Sequence, residues 1–276
     1  MLISLSTACL FPRSLSTVFA LAREAGFDGL ELVIDPTVAR HGSKYVSQLV
    51  GDFQLPVLSV HPPLFPLPGW REARERCLGT VELGRVLGCR VIVLHAPYTR
   101  SERGYEGVLR SIKRGQGVDS DGGIALENGR WLSAGTSDED GGQAAIAHFH
   151  YIKDLAREQG WGLTLDTTHA GCAGVDILEA YELFKGRLVN IHLSDLRSLS
   201  WPRFLRRIPL IYDNLVQHHL PGKGALPLEA LLRRLRFDSY QGLLTVEASP
   251  LAFQVWSLGQ VRKSLQRVLQ LCRGPK

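Results

Sequence analysis

VIVLHAP (91–97), IALEN (124–128), LTLDTTH (163–169), LVNIHLSD (188–195) and LLTVEAS (243–249) share one pattern. Each is a short apolar run that stops on an ionisable residue: His95, Glu127, Asp166, His192 and Glu247. Upstream, VLSVHPP (57–63) stops on His61 in the same way, and GLELVID (29–35) carries Glu31 inside and Asp35 at its end. Solid Val/Ile/Leu runs of this length read as strands buried on both faces. Eight are expected: Leu2–Ser6, Gly29–Ile34, Pro56–His61, Val91–His95, Ile124–Glu127, Leu163–Asp166, Val189–His192 and Leu243–Glu247.

Between them lie amphipathic helical patterns at Leu15–Glu24, Lys44–Phe53, Arg71–Leu87, Gln143–Gln159, Ile177–Phe184 and Leu228–Leu235. A weaker helix is expected at Glu106–Arg114, and a last one at Gln254–Cys272 closes the chain. Strands alternating with helices predict a parallel sheet covered by helices. The 276 residues spread over eight units give about 34 per unit, the size of a β/α repeat. The expected fold class is therefore α/β, a (β/α)8 TIM barrel formed as one domain over residues 1–276. A doubly wound open sheet is the alternative, but G-x-G-x-x-G does not follow the first strand.

Composition agrees. The chain is 45% hydrophobic and 21% charged, which excludes collagen-like and disordered classes. Lys and Arg exceed Asp and Glu by 32 to 27, a mild basic bias that permits an anionic substrate without requiring one. Five scattered Cys with no C-x-x-C spacing imply no disulfide framework and fit a reducing cytoplasm. No apolar run is long enough to span a bilayer. The opening MLISLSTACLFPRSLS lacks a basic leading region and is split by Pro12-Arg13, so it reads as strand, loop and helix rather than a signal peptide.

In a parallel barrel all strand C-termini open at one mouth, where active sites are built. A lone His or carboxylate at a strand end is usually a cap or a satisfied core group. Six in register are different, because buried carboxylates cost several kcal/mol each unless paired or bound to a cation. His, Asp and Glu without Cys suit Zn, Mn, Co or Fe rather than Ca. Three stretches interrupt the rhythm: GQGVDSDGG (115–123), SAGTSDEDGG (133–142) and the connection 196–224 with Arg197, Arg203, Arg206 and Arg207. The basic loop 196–212, with Trp201 and Phe204, is either a lid or a nucleic-acid patch, the lid being favoured. Trp70 and Trp131 are candidates to stack on a sugar face or to pack on the rim. Cys9 reads as a buried small hydrophobe.

LDTTHAGCAGVD (165–176), IHLSD (191–195), HHLPGKGALPLEALL (218–232) and TVEAS (245–249), in that order, resemble the xylose isomerase-like TIM barrels over roughly 1–272. That group includes ketose 3-epimerases, hydroxypyruvate isomerase, inosose dehydratase and endonuclease IV. The resemblance implies a divalent ion, Mn, Zn, Co, Fe or Mg, held by Glu127, Asp166, His192 and Glu247. It implies Glu127 and Glu247 as the acid–base pair of a sugar or sugar phosphate isomerase/epimerase. His169 would then bond a substrate oxygen, and Arg197 would hold a distal oxygen or phosphate. His61, His95, His169 and His218 are candidates for a second metal or for substrate binding. The alternative that the resemblance offers is a zinc-dependent apurinic/apyrimidinic endonuclease of the endonuclease IV type. Its third zinc needs Asp-x-His before the Gly-x-Gly turn, and here that aspartate position is Val216.

Overall fold

The computed structural model describes residues 1–97, 103–112, 123–129, 138–197 and 217–274. Eight parallel strands close into a barrel in chain order: β1 (Leu2–Ser6), β2 (Gly29–Val33), β3 (Val57–His61), β4 (Val91–His95), β5 (Gly123–Glu127), β6 (Gly162–Asp166), β7 (Leu188–Leu193) and β8 (Leu243–Val246). β8 pairs with β1, Leu2 opposite Leu243, so no edge remains open. Among the described residues no helix is long and apolar enough to cross a membrane.

The helices are α1 (Leu15–Ala25), α2 (Pro36–Phe53), α3 (Ala73–Val86), α4 (Arg103–Ser111), α5 (Asp138–Gln159), α6 (Thr167–Cys172), α7 (Ile177–Phe184), α8 (Leu228–Phe237), α9 (Pro250–Phe253) and α10 (Leu258–Arg273). Side chains start several of them. Ser14 accepts from the Thr17 N–H, Asp35 from Val38, and Asp176 from Leu178 and Glu179. Their apolar faces pack on the outward residues of the strands, among them Leu30, Leu32, Ile92, Leu94 and Leu165.

Three helix expectations change. α2 starts at Pro36 rather than Lys44, because Asp35 caps a first turn that Gly42, at φ +65°, then interrupts. α5 begins at Asp138, so part of the expected loop 133–142 is helical. The closing helix breaks at Gln254, whose φ of 52° ends α9; α10 starts afresh at Leu258. Residues 113–122, 130–137 and 198–216 hold the rest of the three unusual stretches, with Trp131, Trp201, Phe204, Arg203, Arg206 and Arg207, and lie outside the described residues. Trp70 packs on α3, since a Cβ on Gly79 would come within 2.7 Å of its ring.

Inside the barrel the side chains are layered. Leu58, Val91, Val93, Ala125 and Leu243 fill the N-terminal end. A polar layer follows: Ser4 Oγ lies 2.8 Å from Thr245 Oγ1, which donates to Asn190 Oδ1 at 2.9 Å. The register slips at Leu30/Glu31 against β3 and at Leu163/Thr164 against β7. The residues passed over, Leu58 and Val189, face Gly29 and Gly162. A Cβ at Gly29 would lie 2.5 Å from Leu58 Cγ, and one at Gly162 2.6 Å from Val189 Cγ2. Each slip resets the alternation, so Ser59 and His61 on β3, and Asn190 and His192 on β7, pair with the inward set of their neighbours.

Burial pushes the imidazole of His148 on α5 down to about 4. An imidazole with an ordinary value near 6.5 when unfolded favours the folded chain fully above that pH. Stability is therefore lost as pH falls from about 6.5 towards 4. Urea melts over that range should show a shallower acid loss for His148→Gln than for the wild type.

Candidate metal centre

The C-terminal mouth gathers the strand-end residues. Glu127, Asp166 and His192 end or nearly end β5, β6 and β7, and Glu247 follows β8. Each offers one ligand atom, and these atoms all lie within 4.8 Å of one another, fully buried. His192 organises the group. Its Nε2 donates to Glu31 Oε2 at 2.9 Å, and the same oxygen accepts from Ser59 Oγ at 3.0 Å. Its Nδ1 therefore faces the centre, 2.7 Å from Glu247 Oε2 and 3.3 Å from Glu127 Oε1. Asp166 is divided similarly: Oδ1 accepts from the His169 N–H at 2.6 Å, and Asn128 brackets its backbone on both sides.

Four buried atoms then have no hydrogen-bond partner: Glu127 Oε2, Asp166 Oδ2, His192 Nδ1 and Glu247 Oε2. One such atom from each of four converging residues fits the donor set of a cation site. The oxygen and nitrogen donors suit a first-row divalent ion.

Two further groups adjoin this one. His61, His95 and Glu127 form the first, and Asp166, His169 and His218 the second. Glu127 is shared on one side and Asp166 on the other. Glu127 Oε2 faces His61 Nε2 at 3.4 Å and His95 Nε2 at 3.5 Å. His61 Nδ1 donates to the Pro62 carbonyl at 2.7 Å, which leaves Nε2 towards the cluster. His169 and His218 cross edge to face at 5.1 Å, and His218 Nδ1 lies 3.3 Å from Ser194 Oγ.

The electrostatics follow from burial set against close opposite charge. Burial lowers the His192 imidazole, but Glu31, Glu247 and Glu127 outweigh it and hold the group well above its usual value. Burial also lowers both other strand-end imidazoles. His61 is nonetheless raised to about 9 by Glu127, whereas His95 falls to about 4. Their Nε2 atoms are 3.1 Å apart, so one proton serves the pair. Burial raises the carboxyls of Glu127 and Glu247; His192 chiefly reverses this, leaving Glu127 far below the carboxylate range and Glu247 at about 2. Asp166 stays raised, because burial outweighs His169 and His218.

Above the cluster opens a cavity of about 550 Å³. Glu127, Glu247, His61, His95, His169 and His218 face it. Arg197, exposed just beyond β7, is not among the described residues that line it. Cys9 is buried beneath, donating to the Val246 carbonyl and accepting from the Ala248 N–H, so it braces the Glu247 backbone. Sequence reasoning placed Glu31 inside its strand without a role, and it overlooked Arg13, Phe11 and Phe65 on the cavity wall altogether. The role of Glu31 shows only in its pairing with a residue 161 positions away. Partners that orient a metal-bound imidazole are typically worth ten- to a hundredfold in metal affinity. Glu31→Gln should weaken Zn²⁺ or Mn²⁺ binding by about that factor in calorimetry, with the melting temperature little changed.

The family model described as xylose isomerase-like TIM barrel matches residues 19–269. An uncharacterized protein of Mycobacterium leprae is 28% identical over 262 residues, covering 90% of this chain and 88% of its own length. Among solved structures, 3-keto-D-glucoside 4-epimerase from E. coli superposes with a TM-score of 0.64 at 18% identity, over 98% of this chain and 99% of that one. The IOLI protein, solved with a binding zinc atom, superposes with a TM-score of 0.61 at 15% identity, over 99% and 95%.

Proposed function

Because the chain belongs to the xylose isomerase-like TIM barrel family, whose barrels carry their chemistry at the mouth just described, we propose that it is a divalent-metal-dependent isomerase or epimerase. Its substrate would be a small polyhydroxy compound or its phosphate, and its reaction a proton transfer next to a carbonyl. One observation carries this reading. Two glutamates from separate strands, Glu127 and Glu247, border the cavity, and each has a buried oxygen without a hydrogen-bond partner.

Glu127, Asp166, His192 and Glu247 would hold the ion. When bound, a divalent cation supplies Lewis-acid polarisation of the substrate carbonyl, which acidifies the neighbouring C–H. The chain's own part is proton handling. Glu127 and Glu247 both border the cavity, so the one in its carboxylate form can accept the substrate proton. Return of a proton to the same carbon by the other glutamate, which starts in its acid form, gives epimerisation; return to the adjacent carbon gives isomerisation. His169, 15% exposed at the side chain, would bond a substrate oxygen. The epimerase named among the structural neighbours supports this reaction class.

One observation favours a second reading. Two more His/carboxylate groups share Glu127 and Asp166 with the central one. A chain of three such groups suits phosphodiester cleavage of the endonuclease IV type, although Val216 replaces the aspartate that the third zinc requires.

The test incubates ketoses, ketose phosphates and hydroxypyruvate in D₂O with Mn²⁺, alongside abasic-site DNA with Zn²⁺. Deuterium at the α-carbon, lost on chelation, is the expected result. Cleavage of the DNA that fails in Glu127→Gln, with no deuterium in any carbonyl compound, would replace the isomerase by the nuclease.

A further inference from the structure

The cavity is unevenly lined. One side is the polar cluster. The other, supplied by the β1–α1 and β2–α2 loops, the β3–α3 loop and the segment after β8, is apolar: Phe11, Leu15, Ile34, Leu64, Phe65 and Pro250. Phe11, Leu64 and Phe65 are 43%, 53% and 45% exposed, and the two rings meet edge to face at 6.2 Å. Large apolar groups left open beside a polar reaction centre mark a binding surface.

Arg13 stands in this apolar wall, the only Arg or Lys lining the cavity among the described residues. One guanidinium nitrogen, Nη2, is tied to the Val255 carbonyl, which fixes the side chain. Nε is buried with no hydrogen-bond partner. Among the described residues, no carboxylate forms an ion pair with Arg13; Asp35, the other charged group in that wall, accepts at Oδ1 from the Val38 N–H. α1 begins two residues later at Leu15, itself on the cavity. A fixed guanidinium with no carboxylate partner, lining a cavity, is a seat for an anion.

We propose that Arg13 binds an acidic group of the substrate, carboxylate or phosphate, while the Phe11/Phe65 wall holds an apolar or ring-shaped body between that group and the reacting carbons. This rests on the isomerase/epimerase reading and narrows its substrate class. Plain ketoses then fit poorly, and acids with an apolar or cyclic body fit well.

The experiment measures binding alone, so it does not depend on turnover. Three probes with one body, phenylacetate, benzylphosphonate and phenylacetamide, are titrated by ligand-observed NMR into the Mn²⁺-free, Zn²⁺-loaded protein, and again into protein stripped by chelator. The acid or the phosphonate should bind roughly tenfold tighter than the amide in both forms, and whichever is stronger identifies the anion. Arg13→Gln should erase that preference and Arg13→Lys should restore part of it, with thermal melts confirming that both variants fold. Phe65→Ser should weaken all three probes alike. The proposal is overturned if the three probes bind equally, if none binds, or if the preference survives in Arg13→Gln. A preference seen only with zinc would also overturn it, because the anion would then be a metal ligand. The deuterium assay can fail while these preferences hold, so the two results stay separate.

Discussion

Glu247→Gln should abolish deuterium exchange, lowering kcat by about a thousandfold or more, while the barrel stays folded. Removing one member of an acid–base pair typically costs two to four orders of magnitude. Here the same oxygen, Oε2, faces His192 Nδ1 at 2.7 Å in the cluster, so cation affinity falls as well. The fold loses little. Glu247 contributes a buried carboxylate oxygen with no hydrogen-bond partner, and its backbone stays paired through the N–H donated to the Leu193 carbonyl. Isomer assays at saturating Mn²⁺ and a thermal melt of the stripped protein check both halves. An active Glu247→Gln enzyme would remove this residue from the acid–base pair.

Asp195→Ala should be the most damaging single change to stability outside the apolar core. The residue is fully buried three positions beyond His192. Oδ1 accepts from the N–H groups of Leu196 and Leu226 at 2.9 and 3.0 Å, and Oδ2 from those of Gly222 and Gly224 at 3.0 and 2.8 Å. Its backbone exchanges a further pair of bonds with His219. Alanine would leave four donors unsatisfied, each normally worth more than an ordinary bond because the acceptor is charged. Urea denaturation should show a loss of about 4 kcal/mol, with Asp195→Asn losing less. Gly224 has no Cβ for a related reason: one there would collide with the Asp195 carboxylate. The segment that this carboxylate gathers carries His218, so the variant should also disorder the third His/carboxylate group.

The strand pattern was legible because a fully buried parallel strand needs little beyond Val, Ile and Leu, and because each run halts where the chain turns polar. β1 and β4 match their expected bounds, and the others differ by one residue at one end, or at both for β7. The four central candidates were readable for the same reason: strand ends in a parallel barrel share one mouth, so position along the strand becomes position in space. What was not legible depends on the loops and on distant pairs. Arg13 follows a Pro in a short connection with nothing periodic about it, and only the folded chain brings it to the cavity. Arg197 lies close in sequence to His192, yet it is not among the described residues that line the cavity. The start of α2 at Pro36 was missed because the Gly42 break separates that first stretch from the amphipathic spacing that begins at Lys44.

Seven of the eight strands each deliver one member of the cluster or its support: Glu31, His61, His95, Glu127, Asp166, His192 and, just after β8, Glu247. No contiguous piece of chain holds the central four, which are drawn from Glu127 to Glu247, more than a hundred positions apart. If these four hold the proposed cation, its capture has to be a late event in the life of a newly made chain. Until β8 docks between β7 and β1, Glu247 has no fixed place and the site lacks a ligand. Metal uptake followed in time during refolding would thus report ring closure, arriving with the slowest contact-forming phase rather than with the early helices.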